Sequence, residues 1–268
     1  MILAKPVKNI LRFVFHFTKK TPMELSEIES VKFFFEQLRP VDNGFDLIRI
    51  GGDNDGGYLI PSDLSGISTL VSPGCDQKID FEVEIHQTYK IPSVVLDKLE
   101  KKPENCPEFI TYIPKWLGIH EDSSNEILET VVEKFNKSEE FMLQMDIEGM
   151  EYQILLSLKE SLVKRFRIMV IELHDLELLL CKPALEKFIS PALEIILRTH
   201  DVVHLHANNA GGKFYHGAMA FPRIVEITLH RKDRSLGSKG FRNIPNLLDM
   251  KNIESIDDIS INMRKLSS

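Results

Sequence analysis

Two carboxylates at the end of an apolar run are the residues of this chain best suited to chemistry. Asp146 and Glu148 follow the run 141–145, and Gly149 and a helix-forming segment come directly after them. Unpaired charge at the end of a buried strand is costly for folding. In open α/β sheets, ligands bind beyond the carboxyl ends of the strands. The segment therefore predicts both a sheet and the position of its site.

A second polar group ends the next apolar run, where Glu172, His174 and Asp175 follow one another closely. If the two runs are adjacent parallel strands, these side chains meet Asp146 and Glu148. Two chemistries then remain open. Crowded carboxylates raise one another's pKa, which suits a general base, and oxygen ligands with one imidazole suit a divalent cation. A plainer alternative is that Glu148 and Glu151 only favour the start of the following helix.

A glycine turn and a later acid suggest a nucleotide-type ligand. Gly74 lies in the turn 72–76 after a short strand, and Asp97 ends the next strand about 20 residues on, where ribose-binding acids stand. The G-x-G-x-x-G fingerprint is absent. Asp76, two positions after the glycine, would repel a pyrophosphate but not an ammonium group. The alternatives are an ordinary turn for Gly74 and a helix cap for Asp97.

Polar residues on two further segments predict contacts with a substrate. His204 and His206 alternate along a strand and so share a face, and two asparagines follow them into a loop. A glycine-rich loop at 51–57 precedes another short strand. We expect substrate contacts from Asp55, Tyr58, His206, Asn208 and Asn209.

Helical and strand patterns alternate along most of the chain. The spacing of apolar residues predicts helices over 25–38, 81–87, 125–135, 152–162 and 183–198, with Ser123 or Ser124 capping the third. It predicts strands over 47–50, 58–61, 69–71, 92–96, 109–118 with an interruption at Pro114, 141–145, 167–171, 202–205 and 224–229. This alternation indicates βαβ units with right-handed crossovers and a largely parallel sheet covered on both faces.

Length and composition fit one large α/β domain. The chain has 268 residues, 43% hydrophobic and 27% charged, with a net charge of −7. This charge argues against a general nucleic-acid binder, which needs a basic surplus. The three cysteines lack metal-ligand spacing and predict reduced thiols in a cytosol. We divide the chain into a helical segment at 1–45, a catalytic domain at 46–235 and an extension at 236–268.

The first 20 residues are basic and apolar but contain no uninterrupted apolar span long enough to cross a membrane. No small-residue cleavage site follows, which argues against a signal peptide. Two alternatives stay open: an amphipathic helix on an anionic membrane, or a helix packed on the domain or on a partner subunit. The predicted location is the cytoplasm, at the inner membrane surface under the first alternative.

The segment 141–152 resembles the signature of FkbM-type S-adenosylmethionine-dependent methyltransferases, Lys-x-Asp-x-Glu-Gly-x-Glu. The resemblance extends over roughly 53–229 and includes Asp55–Pro61, Gly74, Asp97 and the residues 171–174. The chain departs from the family at Ser72, where an acid is usual, so Asp76 or Glu82 would take over the methionine ammonium.

The resemblance implies a Rossmann-like class I methyltransferase fold: a seven-stranded, mostly parallel sheet with one antiparallel strand and helices on both faces. It implies O-methylation, often of sugars or of polyketide-derived hydroxyls. Our first hypothesis is a carbohydrate acceptor, either a surface-polysaccharide sugar or its nucleotide-linked precursor. The implied cofactor-binding residues are Gly74, Asp76, Glu82, Asp97, Leu117, Gly118 and Asp146, and the implied catalytic residues are Glu148, Asp146 and His174. By analogy with metal-dependent sugar methyltransferases, Asp146, Glu172 and His174 would hold Mg²⁺ or Mn²⁺.

Two other functions compete with this one. The same carboxylates could serve a metal-dependent glycosyl- or nucleotide-processing enzyme, or the chain could be a non-catalytic scaffold that binds the cofactor. The expected partner is a small-molecule or glycan acceptor, with no nucleic acid and with peripheral membrane contact through the N-terminal segment. The oligomeric state stays open.

Overall fold

The computed structural model describes residues 24–98, 102–103, 106–134, 139–261 and 263. The segment 1–20, for which sequence analysis left a membrane-bound and a packed helix open, lies outside the described residues. None of the helices in the described part of the chain has the length and apolar character needed to span a bilayer.

The elements follow one another in the alternating order that the sequence predicts. The helices are α1 Ile28–Gln37, α2 Asp80–Tyr89, α3 Leu128–Glu133, α4 Glu151–Ser157, α5 Glu160–Val163, α6 Lys182–Ala184 and α7 Ser190–Leu197, with a π turn at Leu185–Ile189 and 3-10 turns at Leu176–Leu180, Asn209–Gly211 and Lys232–Arg234. The strands are β1 Leu47–Ile50, β2 Tyr58–Pro61, β3 Ile67–Pro73, β4 Ser93–Leu96, β5 Ile110–Ile113, β6 Trp116–Leu117, β7 Asn125–Glu126, β8 Glu140–Met145, β9 Phe166–Leu173, β10 His200–Ala207, β11 Lys213–His216, β12 Met219–Pro222 and β13 Val225–Arg231.

Seven of these strands form the central sheet, in the order β10-β13-β9-β8-β3-β4-β5. Only β13 is antiparallel, and it is antiparallel to both of its neighbours. The prediction of a seven-stranded, mostly parallel sheet with one antiparallel strand is confirmed. The chain runs outwards in one direction from β3 through β4 and β5, and in the other from β8 through β9. Ligands of open α/β sheets bind at such a switch of direction.

Apolar residues cover both faces of this sheet, because successive side chains of a strand point to opposite sides. On one face Leu143 and Met169 belong to a large core that includes α1, α4 and α7. On the other face Met142 and Val170 pack with α2 and with the hairpin β1–β2. All eight residues of β9 are buried, as expected for a strand covered on both sides. A β-hairpin therefore replaces helices over part of one face.

The predicted helix at 125–135 starts too early, and the predicted cap at Ser123 or Ser124 is wrong. Asn125 and Glu126 pair instead with β6, and the helix begins only at Leu128, without a side-chain cap. The reason is a local turn: the Oδ1 atom of Asp122 accepts hydrogen bonds from the backbone N–H groups of Ser124, at 2.6 Å, and Asn125, at 2.8 Å. Such turns compete with helix formation.

The predicted helix at 152–162 is broken into α4 and α5. Leu158 has extended backbone angles, φ −77° and ψ 137°, which end α4. The hydroxyl of Ser157 donates to the carbonyl of Ile154 at 2.7 Å and thereby closes the last turn. The predicted helix at 183–198 is present as α6 and α7 with the π turn between them. The hairpin β11–β12 and the 3-10 turn at 176–180 were not predicted.

Candidate active site

The turn after β3 lies directly against the end of β8. Gly74 has φ +83°, and a Cβ atom placed there would lie 1.6 Å from the backbone oxygen of Asp146. The N–H of Gly74 donates to the carbonyl of Leu96 at 2.9 Å, and the N–H of Asp146 donates to the carbonyl of Pro73 at 3.2 Å. Only glycine fits this position, so the turn forms a cradle at the carboxyl edge of the sheet.

A cavity of about 660 Å³ opens beside this cradle. It is bordered by the ends of β3, β4 and β8, by the start of α2, by β6 and by the loop before β2. Most of the predicted cofactor and substrate residues line it: Asp55, Tyr58, Gly74, Asp76, Glu82, Asp97, Leu117, Asp146 and Glu148. Gly118 instead lies close to Asn125. The cavity-lining residues include seven acids and one lysine, Lys78.

Asp97 fixes the glycine turn from the end of β4. Its Oδ2 atom accepts hydrogen bonds from the backbone N–H groups of Cys75, at 3.0 Å, and Asp76, at 3.1 Å. The hydroxyl of Tyr112 donates to the carbonyl oxygen of Asp97 at 2.6 Å. Asp97 therefore shapes the cradle as well as bordering the cavity, and its predicted contact with a ribose stays a prediction.

A buried network of hydrogen-bonded side chains lies near the end of β3. It includes Ser72, the position at which the sequence analysis noted an acid in FkbM-type proteins. The hydroxyl of Ser72 is hydrogen-bonded to Glu82 of α2 and lies 2.6 Å from Oε1 of Gln144, whose Nε2 donates to the hydroxyl of Tyr58 at 3.3 Å. Glu82 is only 3% exposed, and burial raises the pKa of its carboxyl above its usual value. The structure thus brings a carboxyl group from α2 to the cavity wall beside Ser72.

His174 is the centre of the predicted catalytic group. Its Nε2 atom lies 3.6 Å from Oε2 of Glu148, 3.7 Å from Oδ1 of Asp146 and 3.7 Å from Oε1 of Glu172. Neighbouring parallel strands β8 and β9 bring these four residues together, as the sequence predicts. Asp175 is not among them: its Oδ2 atom lies near Gly149, 2.9 Å from the position of a Cβ there.

Glu151 orients this group, a role that sequence analysis missed. It is fully buried, and its Oε1 lies 3.1 Å from Nδ1 of His174. Its carboxylate also accepts hydrogen bonds from the N–H groups of Ile147, at 3.1 Å, and Gly149. Glu151 thus fixes both the imidazole ring and the loop that carries Glu148. The second glutamate of the Glu-Gly-x-Glu motif was the available signal.

Two residues of the group have pKa values near neutrality. Burial raises the pKa of Asp146 to about 7, with Glu148 and Glu151 adding to the rise and His174 opposing it. For His174, burial favours the neutral ring, but the hydrogen bond with Glu151 and the surrounding carboxylates outweigh it and raise the pKa to about 8. Glu148, unlike Asp146 and His174, is not buried: its side chain is 87% exposed, and its φ is +56°. Groups poised like this suit proton transfer.

A polar row crosses the sheet at the same level. His206, Glu226 and Glu172 are register partners on β10, β13 and β9, and Asp146 follows Met145, the partner of Ile171. Asn208 extends the row, because its Nδ2 donates to Oε1 of Glu172 at 2.8 Å. Burial, together with Asp146 and Glu226, raises the pKa of Glu172 to about 10. Glu226 was missed from the sequence, where it is one polar residue of an alternating strand.

The chain after β13 returns to this row. Asn209, predicted to contact substrate, instead donates through Nδ2 to the carbonyls of Ile253, at 3.0 Å, and Ile256, at 3.1 Å, and accepts from the N–H of Ile253 at 2.9 Å. His204 pairs with Asp249 at 2.7 Å. Asn252 lies between Glu226 and Asp55. We call residues 246–261 the tail.

Two groups of potential metal ligands occur among the described residues: Asp146, Glu148 and His174, and Asp55, Glu172 and Glu226. Within each, the ligand atoms lie within 4.8 Å of one another. The predicted ligands Asp146, Glu172 and His174 are therefore divided between the two groups. The Oδ1 atom of Asp146 is buried and has no hydrogen-bond partner in the described part of the chain, so the first group has an acceptor that a cation could satisfy.

Residues 117–182 match the model of the methyltransferase FkbM domain. Over this segment the chain is similar to FkbM methyltransferases. The matched segment runs from β6 to α6 and contains Asp146, Glu148, Glu151, Glu172 and His174. The sequence resemblance is thereby confirmed over this segment.

The chain also shows a distant similarity to several solved structures. A precorrin-6y C5,15-methyltransferase from Geobacter metallireducens GS-15 is 10% identical, with a TM-score of 0.33, over 62% of this chain and 80% of that one. A fibrillarin/Nop5p complex is 9% identical, with a TM-score of 0.39, over 73% and 98%. No curated protein matches the chain. Because these TM-scores are low, the fold is assigned from the strand order.

The cavity residues fit S-adenosylmethionine. Glycine at position 74 lets the turn close against the end of β8 at the edge of the cavity, which a Cβ would prevent. The acidic lining suits a cofactor that carries a sulfonium and an ammonium group. Gly74, Asp76, Glu82, Asp97, Leu117 and Asp146 are the residues that would hold it.

Proposed function

We propose that this protein transfers a methyl group to a hydroxyl oxygen of a carbohydrate. The observation that carries the proposal is the meeting of Asp146, Glu148 and His174 beside the cavity. The bound cofactor supplies an electrophilic methyl group, so the protein has to align the acceptor oxygen and remove its proton. A sugar hydroxyl is a weak acid, and a positioned base is therefore required.

We assign the role of base to Glu148. Its carboxylate is exposed at the cavity wall, where an acceptor can reach it, while Asp146 lies under the glycine turn on the cofactor side. His174 Nε2, 3.6 Å from Glu148, supports the charged carboxylate when the ring is protonated. Glu151 holds the ring in place through Nδ1. Asp146 contributes negative charge beside the cavity and below the turn.

The cavity lining supports a carbohydrate as the acceptor. Asp76 and Glu148 border the cavity at exposed positions, and their carboxylates can accept hydrogen bonds from several hydroxyls. Among the two sugar classes, a surface-polysaccharide sugar is favoured, because the diphosphate of a nucleotide-linked precursor would meet a cavity lined by seven acids and one lysine.

A divalent ion provides a second form of the same mechanism. Asp146, Glu148 and His174 could hold Mg²⁺ or Mn²⁺, and a cation there would lower the pKa of an acceptor hydroxyl. The support is the buried, unpartnered Oδ1 of Asp146. If the ion is needed, removal of metal with EDTA abolishes turnover; if Glu148 acts alone, turnover survives it.

The test measures cofactor binding and methyl transfer in two separate experiments. S-adenosylhomocysteine at saturation should raise the melting temperature of the full chain, because it binds only the folded state. Methyl transfer to neutral oligosaccharides and to nucleotide-linked sugars is then followed by mass spectrometry. Glu148→Gln should lose turnover by about 10²-fold or more and keep binding of S-adenosylhomocysteine. Glu186→Gln, an exposed glutamate outside the site, is the matched control.

Each failure has a distinct meaning. If S-adenosylhomocysteine gives no shift, the cofactor assignment is wrong. If Glu148→Gln keeps full turnover, Glu148 is not the base. If methyl groups appear on nitrogen or carbon acceptors and never on sugar hydroxyls, the proposed substrate class is wrong.

A further inference from the structure

Glu172 and Glu226 are buried carboxylates placed directly opposite each other on antiparallel strands. They are 4% and 5% exposed. Like charges in this arrangement destabilise a sheet, and buried charge without a partner is costly. Among the described residues, their ion pairs come only from histidines: His174 lies 3.7 Å from Glu172, and His206 lies 3.4 Å from Glu226. The pair therefore calls for a shared proton or a further positive charge.

A third carboxylate joins them from the glycine-rich loop. One ligand atom each of Asp55, Glu172 and Glu226 lies within 4.8 Å of the others. Oxygen ligands that share one cation, each at about 2.1–2.5 Å from it, have such separations. Lys78 pairs with Asp55 at 2.6 Å, but it makes no ion pair with either glutamate within the described chain.

Asn252 of the tail supplies an independent observation. Its Nδ2 atom donates to Oε1 of Glu226 at 2.5 Å and to Oδ1 of Asp55 at 3.3 Å, so the NH2 end of the amide, and not its oxygen, faces the group. Its Oδ1 atom is buried and has no hydrogen-bond partner among the described residues, and the same holds for Oε2 of Glu172. Buried acceptors without a donor need a positive partner. Because the two ends of an amide are assigned and not observed, a turned Asn252 would present its oxygen.

We propose that Asp55, Glu172 and Glu226, with the amide of Asn252, bind one divalent cation at the polar row, next to the cavity that Asp55 borders. The ligands are all oxygens, which favours a hard ion, namely Mg²⁺, Mn²⁺ or Ca²⁺. The site is separate from the group of Asp146, Glu148 and His174, and it does not depend on the proposed methyl acceptor. The ion joins three segments: the loop 51–57, the central sheet and the tail.

The experiment measures metal binding without turnover. The full chain is treated with EDTA, dialysed and titrated with Mn²⁺, and free Mn²⁺ is followed by electron paramagnetic resonance. The wild type should bind Mn²⁺, and Glu226→Gln should bind it at least about tenfold more weakly, the loss typical of a damaged metal site. Glu254→Gln removes an exposed glutamate of the same tail and should bind Mn²⁺ like the wild type.

Two further variants make the result decisive. Asp55→Asn alters a ligand on an exposed loop, and it should also lower the affinity for Mn²⁺ at least about tenfold. If circular dichroism shows that Glu226→Gln does not fold, Asp55→Asn takes its place in the test. Glu148→Gln tests the other group. If Glu148→Gln abolishes Mn²⁺ binding while Asp55→Asn and Glu226→Gln retain it, the proposal is wrong. It is equally wrong if the wild type binds neither Mn²⁺ nor Ca²⁺ at millimolar concentration, since the two glutamates then share a proton.

Discussion

A Cβ atom at Gly74 would lie 1.6 Å from the carbonyl oxygen of Asp146. The glycine turn after β3 and the end of β8 are thus in backbone contact, and neither can move without the other. We expect Gly74→Ala to lose binding of S-adenosylhomocysteine and about 2–3 kcal/mol of unfolding free energy, because the strained φ adds to the clash. Isothermal titration and urea unfolding measure both quantities.

The control for this variant is Gly52→Ala. Gly52 has a similar φ, +90°, but nothing lies within 4 Å of a Cβ placed there. It should lose only about 1 kcal/mol through backbone strain and should bind S-adenosylhomocysteine normally. Equal loss of binding in both variants would show that positive φ, and not the contact with Asp146, decides the result.

Glu151 should act on turnover through His174. In Glu151→Gln, an amide replaces the acceptor that fixes Nδ1 of His174 and two backbone N–H groups. We expect kcat to fall about 10²-fold and stability to fall by about 1–3 kcal/mol, with KM for the acceptor nearly unchanged.

Steady-state kinetics at saturating cofactor separate these quantities for Glu151. The control is Leu193→Ala on α7, which also lowers stability but lies in the large core outside the site. It separates the effect of losing the orientation of His174 from the effect of a less stable fold. If Glu151→Gln and Leu193→Ala have the same kcat, Glu151 is a structural residue only.

His200 should make stability depend on pH. Burial lowers the pKa of His200 to about 4, and its Nε2 lies 2.7 Å from the carbonyl of Phe166. The unfolded chain binds a proton on this residue below about pH 6.5, whereas the folded chain does not until about pH 4. Stability should therefore fall between pH 6.5 and 4, by up to about 3 kcal/mol.

The contribution of His200 is isolated by comparison with His200→Gln, because other groups titrate in the same range. The difference in unfolding free energy between wild type and His200→Gln should shrink as the pH falls through this window. A pH-independent difference for His200→Gln would contradict the lowered pKa.

Asn209 should hold the tail against the sheet. Its amide makes three hydrogen bonds with the backbone of residues 253–256, so Asn209→Ala should free the tail and cost about 1–3 kcal/mol. Hydrogen–deuterium exchange should rise in residues 246–261. Asn243→Ala, at an exposed position just before the tail, is the control. Unchanged exchange in Asn209→Ala would mean that other contacts hold the tail.

Much of the fold was predictable because its signals are local. Apolar runs such as 141–145 and the turn at Gly74 are read directly from neighbouring residues, and they predict the parallel strands and the carboxyl edge correctly. The meeting of Asp146 with His174 followed from one assumption, that β8 and β9 are adjacent. The boundaries of α3 and α4 were missed because side chains of Asp122 and Ser157 bind nearby backbone groups.

The polar row and its contacts with the tail were not predictable in the same way. Glu226 faces Glu172 only because β13 runs antiparallel in one register, and a shift of one residue would turn it to the other face. Asn252 reaches the site through a tail without periodic spacing. Asn209 was predicted to contact substrate, but its amide binds the backbone of that tail. Such contacts depend on the packing of distant segments.

The antiparallel strand has a consequence for how the protein is made. Gly74, Asp97 and Asp146 precede β9 in the chain, whereas Glu226 and Asn252 come only with β13 and the tail. Chains are synthesised from the N-terminus at a finite rate. On the ribosome, the residues at the glycine turn and the end of β8 therefore emerge well before Glu226 and Asn252, and truncated products would contain the first set without the second.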